Sequence, residues 1–246
     1  MWKWLNNLFS RKEKTMTEFE EKRALITKII NCFEQGRPEF QHDKVDFLKD
    51  GVFAGSLTRQ IQITISYGLV QTGLLPSFLK DYVNLNAKFS EEFRPYLPKL
   101  PQQSLVKDGK FEALLKRAAR EDKVYTDLLE AYFYQIYFAK AVAWWKDNGF
   151  KEYLSLAVIM DSQIHSGSML LFLRKRFPEP TPIKGGNEKR YIEQYLEVRR
   201  DWLKNHSDST LKKLWTRPQF YINELEKGNW DLAALPISPN GVKITS

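Results

Sequence analysis

Glu34 closes a segment whose apolar residues Phe19, Ile26, Ile29, Ile30 and Phe33 recur at helical spacing. Thr17 and Glu20 form a capping box at its start, and Gln35-Gly36 stops it, the glycine suiting a left-handed cap. A carboxylate in the last helical turn faces the negative end of the helix dipole. Partial burial beside Phe33 would desolvate it as well. Both effects disfavour the ionised form, the condition a general acid needs near neutral pH. A solvated residue at a helix end is the plainer alternative. Further on, Ile61, Ile63, Ile65 and Tyr67 alternate with Gln60, Gln62, Thr64 and Ser66. That period predicts a strand with one face on a core and a polar face on something wet. Lys44–Leu48 offers a partner strand, and Asp50-Gly51 is a turn dipeptide.

The rest of the chain reads as helices that must hold these groups in place. The spacing predicts a short helix over 74–83, then a loop to Pro101, and an amphipathic helix over 110–120. The segment 124–145 is apolar on nearly all sides, with Tyr132, Phe133, Tyr134, Ile136, Tyr137 and Phe138, which predicts a buried central helix. A second apolar helix is expected over 152–173, carrying Asp161 and His165 at i and i+4. A charge on such a helix must be paired. After a Pro- and Gly-rich loop over 178–186, the segment 188–204 is amphipathic, with Tyr191, Tyr195, Leu196 and Trp202 on one side and Arg199 beside them. The end reads as short helices and coil.

With 246 residues and 43% hydrophobic content, the chain can bury a sizeable core. The expected division is an amphipathic leader over 1–16 and one two-lobed domain over 17–246. Cys32 is the sole cysteine, so no intrachain disulfide forms, which fits a reducing compartment without requiring one. His42, His165 and His206 are far apart, so no metal site is expected and no cofactor motif is present. The net charge of +8 and pI of about 9.3 would attract polyanions, but the basic runs are short and interleaved with acids, and nucleic acid is not expected. Residues 1–12 hold Trp2, Trp4 and several cations without an apolar run long enough for a signal peptide. They are expected to dock on the protein or to fray as a leader, with weak contact with a membrane surface as the alternative, and a cytoplasmic site or a non-classical export route is expected. A monomer is expected.

A helix ending in glutamate, followed by a small antiparallel sheet with a polar face, resembles the lysozyme-like glycosidases. More closely, the chain resembles the chitosanases of glycoside hydrolase family 46. In that family the proton-donor glutamate is followed by Asn, Asp or Gln, as in Glu34-Gln35 here. Its Tyr-Leu-Pro segment resembles Tyr96-Leu97-Pro98, and its Asp–His-Gly stretch resembles Asp161 to His165 and Gly167. The lead-in to its arginine-bearing helix resembles Gly185-Gly186-Asn187-Glu188, with Arg199 following, and its Gly-Asn motif resembles Gly228-Asn229-Trp230-Asp231-Leu232. The resemblance implies a mainly α (α+β) lysozyme-like two-lobed fold with a small antiparallel β-sheet bordering the cleft. It also implies an ion network of a buried aspartate and two arginines, here Asp161, Arg199 and Arg217.

The resemblance fails at the general base. The family's Asp-x-Arg-Gly-x-Thr turn is missing; Thr64 approximates its threonine, and Asp50 is the nearest usable carboxylate, with Asp46 and Asp43 behind it. The family's glucosamine-gripping aspartate has no counterpart in Gly73–Ser77. The function these features imply is inverting hydrolysis of a β-1,4-linked amino-sugar polymer. Glu34 is the acid, Asp50 the base, Thr64 holds the water, and Gln62 and Ser66 bind sugar hydroxyls. The basic charge favours a muramidase-like action on peptidoglycan as an alternative, and loss of the base would leave a glycan-binding protein.

Overall fold

The computed structural model describes residues 17–43, 45–47, 63–65, 74–100, 105, 108–166 and 168–245, with backbone alone at 45–47, 63–65 and 74. Helix α1 (Glu18–Gln35) opens on Thr17, whose Oγ1 accepts from the Glu20 N–H at 3.4 Å. It closes on Gly36 at φ 71° and ψ 17°, whose N–H donates to the Cys32 carbonyl at 3.2 Å. A left-handed φ of this kind is where glycine carries no Cβ penalty. Asn240 Nδ2 donates to the same carbonyl at 3.0 Å, so a residue near the C-terminus ties down the last turn of α1. Leu25, Ile26, Ile29, Ile30 and Cys32 form the buried face of α1.

Strands β1 (Val45–Phe47) and β2 (Ile63–Ile65) pair antiparallel, with Asp46 opposite Thr64 in the register. Helices α2 (Leu74–Asn84), α3 (Ser90–Phe93) and α4 (Gly109–Glu121) follow. Two short turns, α3 and a 3-10 turn over Arg94–Tyr96, occupy what reads as loop in the sequence. Asp122 then ends α4 and caps α5 (Lys123–Phe133), accepting from the Val124 N–H at 2.9 Å. The same carboxylate accepts from Tyr82 Oη at 2.5 Å and the Lys88 N–H at 3.1 Å, which locks α2 to the α4–α5 corner.

Helix α5 runs without a break into a π-helical turn (Tyr134–Phe138) and α6 (Ala139–Asp147), with no Gly or Pro to stop it. This spine serves two hydrophobic cores. Tyr125, Leu128 and Leu129 belong to one core with α2–α4, and Phe133, Tyr137, Phe138 and Ala141 belong to the other with α1 and the C-terminal helices. The π turn sits near that changeover; by inserting a residue it re-aims the buried face. Phe40 and Ile136 pack against both cores and join them.

Past α6, the apolar segment does not make one helix over 152–173. It forms α7 (Tyr153–Ser166) and, separately, a single turn α8 (Leu171–Arg174). The sequence between them, Gly167-Ser168-Met169-Leu170, opens on two residues of low helix propensity. Helix α9 (Glu188–Lys204) has the expected bounds and is capped by Asn187, whose side chain accepts from the Arg190 N–H at 3.1 Å. Helices α10 (Ser209–Lys213) and α11 (Thr216–Glu226) complete the chain, followed by a tail. There Asn229 bonds the Glu224 carboxylate at 2.8 Å and both the N–H and the carbonyl of Ala234. This gives the Gly228-Asn229 motif a physical role as the clasp of the C-terminal turn.

Candidate active site

Glu34 lies in the last turn of α1, where α1 meets the first turn of α11. Phe33 packs on Phe220 and Tyr221 with ring centroids 5.7 Å and 6.2 Å apart. Arg217 enters from α11, its guanidinium 5.0 Å from the Phe33 ring. Arg217 Nη1 donates to Glu34 Oε1 at 2.5 Å, and its Nε and Nη2 donate to Asp161 Oδ1 at 2.9 Å and 2.6 Å. Asp161, on α7, forms an ion pair through its other oxygen with Arg199 Nη1 of α9 at 2.7 Å. One chain of charge thus runs Glu34–Arg217–Asp161–Arg199 through four helices. Asp161 and Arg199 have no solvent exposure, Arg217 has 4%, and the Glu34 side chain has 28%. Glu34 is the member of this chain of charge that reaches solvent.

This chain of charge changes the setting expected for Glu34. The dipole and the neighbouring apolar ring are present, but a guanidinium lies against the carboxylate as a counter-charge that sequence reasoning does not place there. Two phenols were missed as well. Tyr137, on the π turn, is pushed up to about 12 by burial and by the charge of Glu34. Tyr221 is raised further by burial and by Asp161. The aromatic run over 132–138 hides Tyr137 among core residues, and only its phase on the π turn singles it out.

Burial pushes the Asp161 carboxyl up, but Arg217 and Arg199 outweigh it and hold the group down at about 2. Burial, with Arg199 and Arg217 adding to it, holds His165 at about 4. These shifts act in different pH windows. The unfolded chain protonates a histidine near pH ~6.5, while the folded one keeps His165 neutral down to about 4. Its contribution is therefore full above about pH 6.5 and is lost as pH falls toward the folded value. Asp161 contributes above the ordinary carboxylate range and loses its share only as pH falls toward about 2. Urea unfolding at about pH 7 and about pH 4.5 should show a loss of stability that His165→Gln partly removes. An unchanged pH slope in that variant would mean His165 is not held neutral.

The segment after Glu34 is pinned. Asn31 Nδ2 donates to the Pro38 carbonyl at 2.7 Å, Gln35 Oε1 accepts from the Gln41 N–H at 2.8 Å, and His42 bonds Glu130 of α5 at 2.7 Å. Asp50, Gln62 and Ser66 lie outside the described residues, as do the leader over 1–16 and Gly167; Thr64 is described by its backbone alone, opposite Asp46. The structure therefore brings together Glu34, Asp161, Arg199 and Arg217. A concavity of about 740 Å³ lies between α1 and the α5–π wall. Its acids Glu20, Asp127 and Glu130 are each paired, with Arg23, Lys123 and His42, and Glu34 does not line it.

The model of glycosyl hydrolase family 46 matches residues 71–237. The family 46 chitosanase of Gynuella sunshinyii, solved with chitotetraose, superposes with a TM-score of 0.73 at 20% identity, covering 94% of this chain and 98% of that one. The native chitosanase of Bacillus subtilis MY002 gives a TM-score of 0.71 at 20% identity over 92% of this chain and 98% of that one. A mutant of the Bacillus enzyme complexed with 6 GlcN gives 0.72 at 19% identity with the same coverage. Among curated proteins, no sequence match emerges.

Proposed function

Because the chain belongs to glycosyl hydrolase family 46, we propose that it hydrolyses the β-1,4 bonds of an amino-sugar polymer of the chitosan type, within a single two-lobed domain over 17–246. The observation that carries this reading is Glu34, at the end of α1, held by Arg217 on the buried Asp161–Arg199 pair. A general acid must present its proton to one oxygen at a fixed angle, and a carboxyl group anchored at one oxygen and partly exposed to water does so in its protonated form. Glu34 protonates the leaving glycosidic oxygen. Asp50 removes a proton from a water that Thr64 helps hold, and that water attacks the anomeric carbon from the opposite face, inverting it. Such a pair needs its carboxyls roughly 6.5–9.5 Å apart. Gln62 and Ser66 hydrogen-bond sugar hydroxyls from the polar face of the small sheet, which borders the cleft.

Two relatives were solved with chitooligosaccharides, which supports chitosan as the substrate. The net charge of +8 favours peptidoglycan as the second reading, since a basic surface repels a polycation. Reducing-end release from chitosan and from peptidoglycan, measured side by side, decides between them. Asp50→Asn tests the base: turnover is expected to fall at least about a hundredfold with glycan binding intact, because the amide keeps the contacts but accepts no proton. Full activity in Asp50→Asn would move the role to Asp46, the register partner of Thr64. An inactive wild type that binds chitosan would leave a glycan-binding protein.

A further inference from the structure

The single turn α8 carries two apolar side chains into solvent, Leu171 at 77% exposure and Phe172 at 42%, while Leu173 between them and Arg174 is fully buried and anchors the turn. The Phe172 ring stands edge-on to Trp202 of α9 at 5.3 Å, and Trp202 stands 5.0 Å from His206. The Arg176 guanidinium lies 5.4 Å from the Phe172 ring, and Lys204 Nζ lies 4.5 Å from the Trp215 ring. The ring contacts Phe172–Trp202–His206 run as one strip from α8 along α9 to the segment before α10, and α8 and α10 both pack on α9.

That face also holds unpaired positive charge. Lys175, Arg176, Lys204, Lys212 and Lys213 are all exposed, and none is ion-paired with a carboxylate among the described residues. Between Leu171 and Arg176, and between Asp201 and Trp215, the acids are Asp201 and Asp208. Asp208 is turned into the N-terminus of α10, accepting from the Thr210 and Leu211 N–H groups at 2.7 Å and 3.2 Å. Asp201 faces Arg200 at 3.5 Å. Neither acid is ion-paired with any of the five cations.

We propose that this face docks on an anionic phospholipid bilayer. Leu171 and Phe172 enter the interfacial layer, and the five cations lie over the headgroups. Exposed apolar side chains ringed by Lys and Arg are the composition that binds such an interface. A soluble anionic polymer would also meet the cations, but it offers Leu171 nothing: an aliphatic side chain neither stacks on sugars nor hydrogen-bonds, and it gains only from an apolar medium. The contact is peripheral, since no helix among the described residues is long and apolar enough to cross a membrane.

The test uses the full chain and sedimentation with vesicles of equal parts phosphatidylglycerol and phosphatidylcholine, against phosphatidylcholine alone. Partitioning onto the anionic vesicles should be at least about tenfold stronger and should weaken with added salt. Two double variants are compared, Leu171→Ser with Phe172→Ser, and Lys212→Glu with Lys213→Glu. Each should weaken partitioning by about tenfold or more with an unchanged melt and unchanged hydrolysis of a soluble chitooligosaccharide. No vesicle binding by the wild type overturns the proposal. So does undiminished binding by both variants, which would assign the affinity to residues 1–12. Binding of polyglutamate that is lost only with the lysines would mark a polyanion site instead, and a parallel loss of hydrolysis would place the face in the substrate groove.

Discussion

Glu34→Gln is expected to lower turnover at least about a hundredfold, the usual worth of a positioned proton donor. The glutamine amide keeps an oxygen for Arg217 Nη1, which bonds Glu34 at 2.5 Å in the native chain. Shape and the hydrogen bond are therefore retained while the transferable proton is removed. The stability cost should be small, because the Glu34 side chain is 28% exposed and its pairing is partly screened by water, and because Arg217 keeps Asp161 as its counter-ion. Reducing-end release together with a thermal melt reads both quantities. Full activity in Glu34→Gln would end the assignment of the acid. A variant that is inactive and also melts many degrees lower would make Glu34 a structural anchor.

Asp161→Ala should be the most destabilising single change in the core that α1 shares with the C-terminal helices. It leaves Arg199, which has no exposure, without its counter-ion and takes from Arg217, which has 4%, the more buried of its two carboxylates, leaving it Glu34 alone. Breaking a buried ion pair from one side costs about 3–5 kcal/mol because a desolvated charge is left without compensation. For a chain of this length that is a fall in Tm of about 6–20 °C. Activity should fall with it, since Arg217 would no longer be held at the angle that bonds Glu34. Asp161→Asn, which keeps acceptor capacity on one oxygen, should cost less than alanine. A melting shift within error would show that the two arginines find other partners.

What the sequence determined was local or nearly so. Thr17 and Gly36 bound α1 because a hydroxyl caps a free N–H and a glycine takes φ 71° without strain, both decided by neighbours in the chain. The spacing of Tyr191, Tyr195 and Leu196 gave α9 its buried face, and an uncharged apolar run from Tyr153 demanded that Asp161 be paired. The order of the matched motifs identified the family. The break at Ser166 was missed because apolar periodicity outlasts backbone continuity there: Leu170 to Leu173 keep the pattern after the helix has ended. The site itself was decided by tertiary structure. Arg217 is separated from Glu34 by 183 positions, and no local rule tells which of many arginines reaches a given carboxylate. That choice depends on α11 crossing α1 at Phe33, on α7 offering Asp161 from behind, and on a spine helix whose π turn aims Tyr137 toward the same point. A buried charge requires a partner, and the sequence states the requirement; only the packing of four helices determines which partner meets it, because the desolvation that makes the pairing obligatory exists only once those helices have closed on one another.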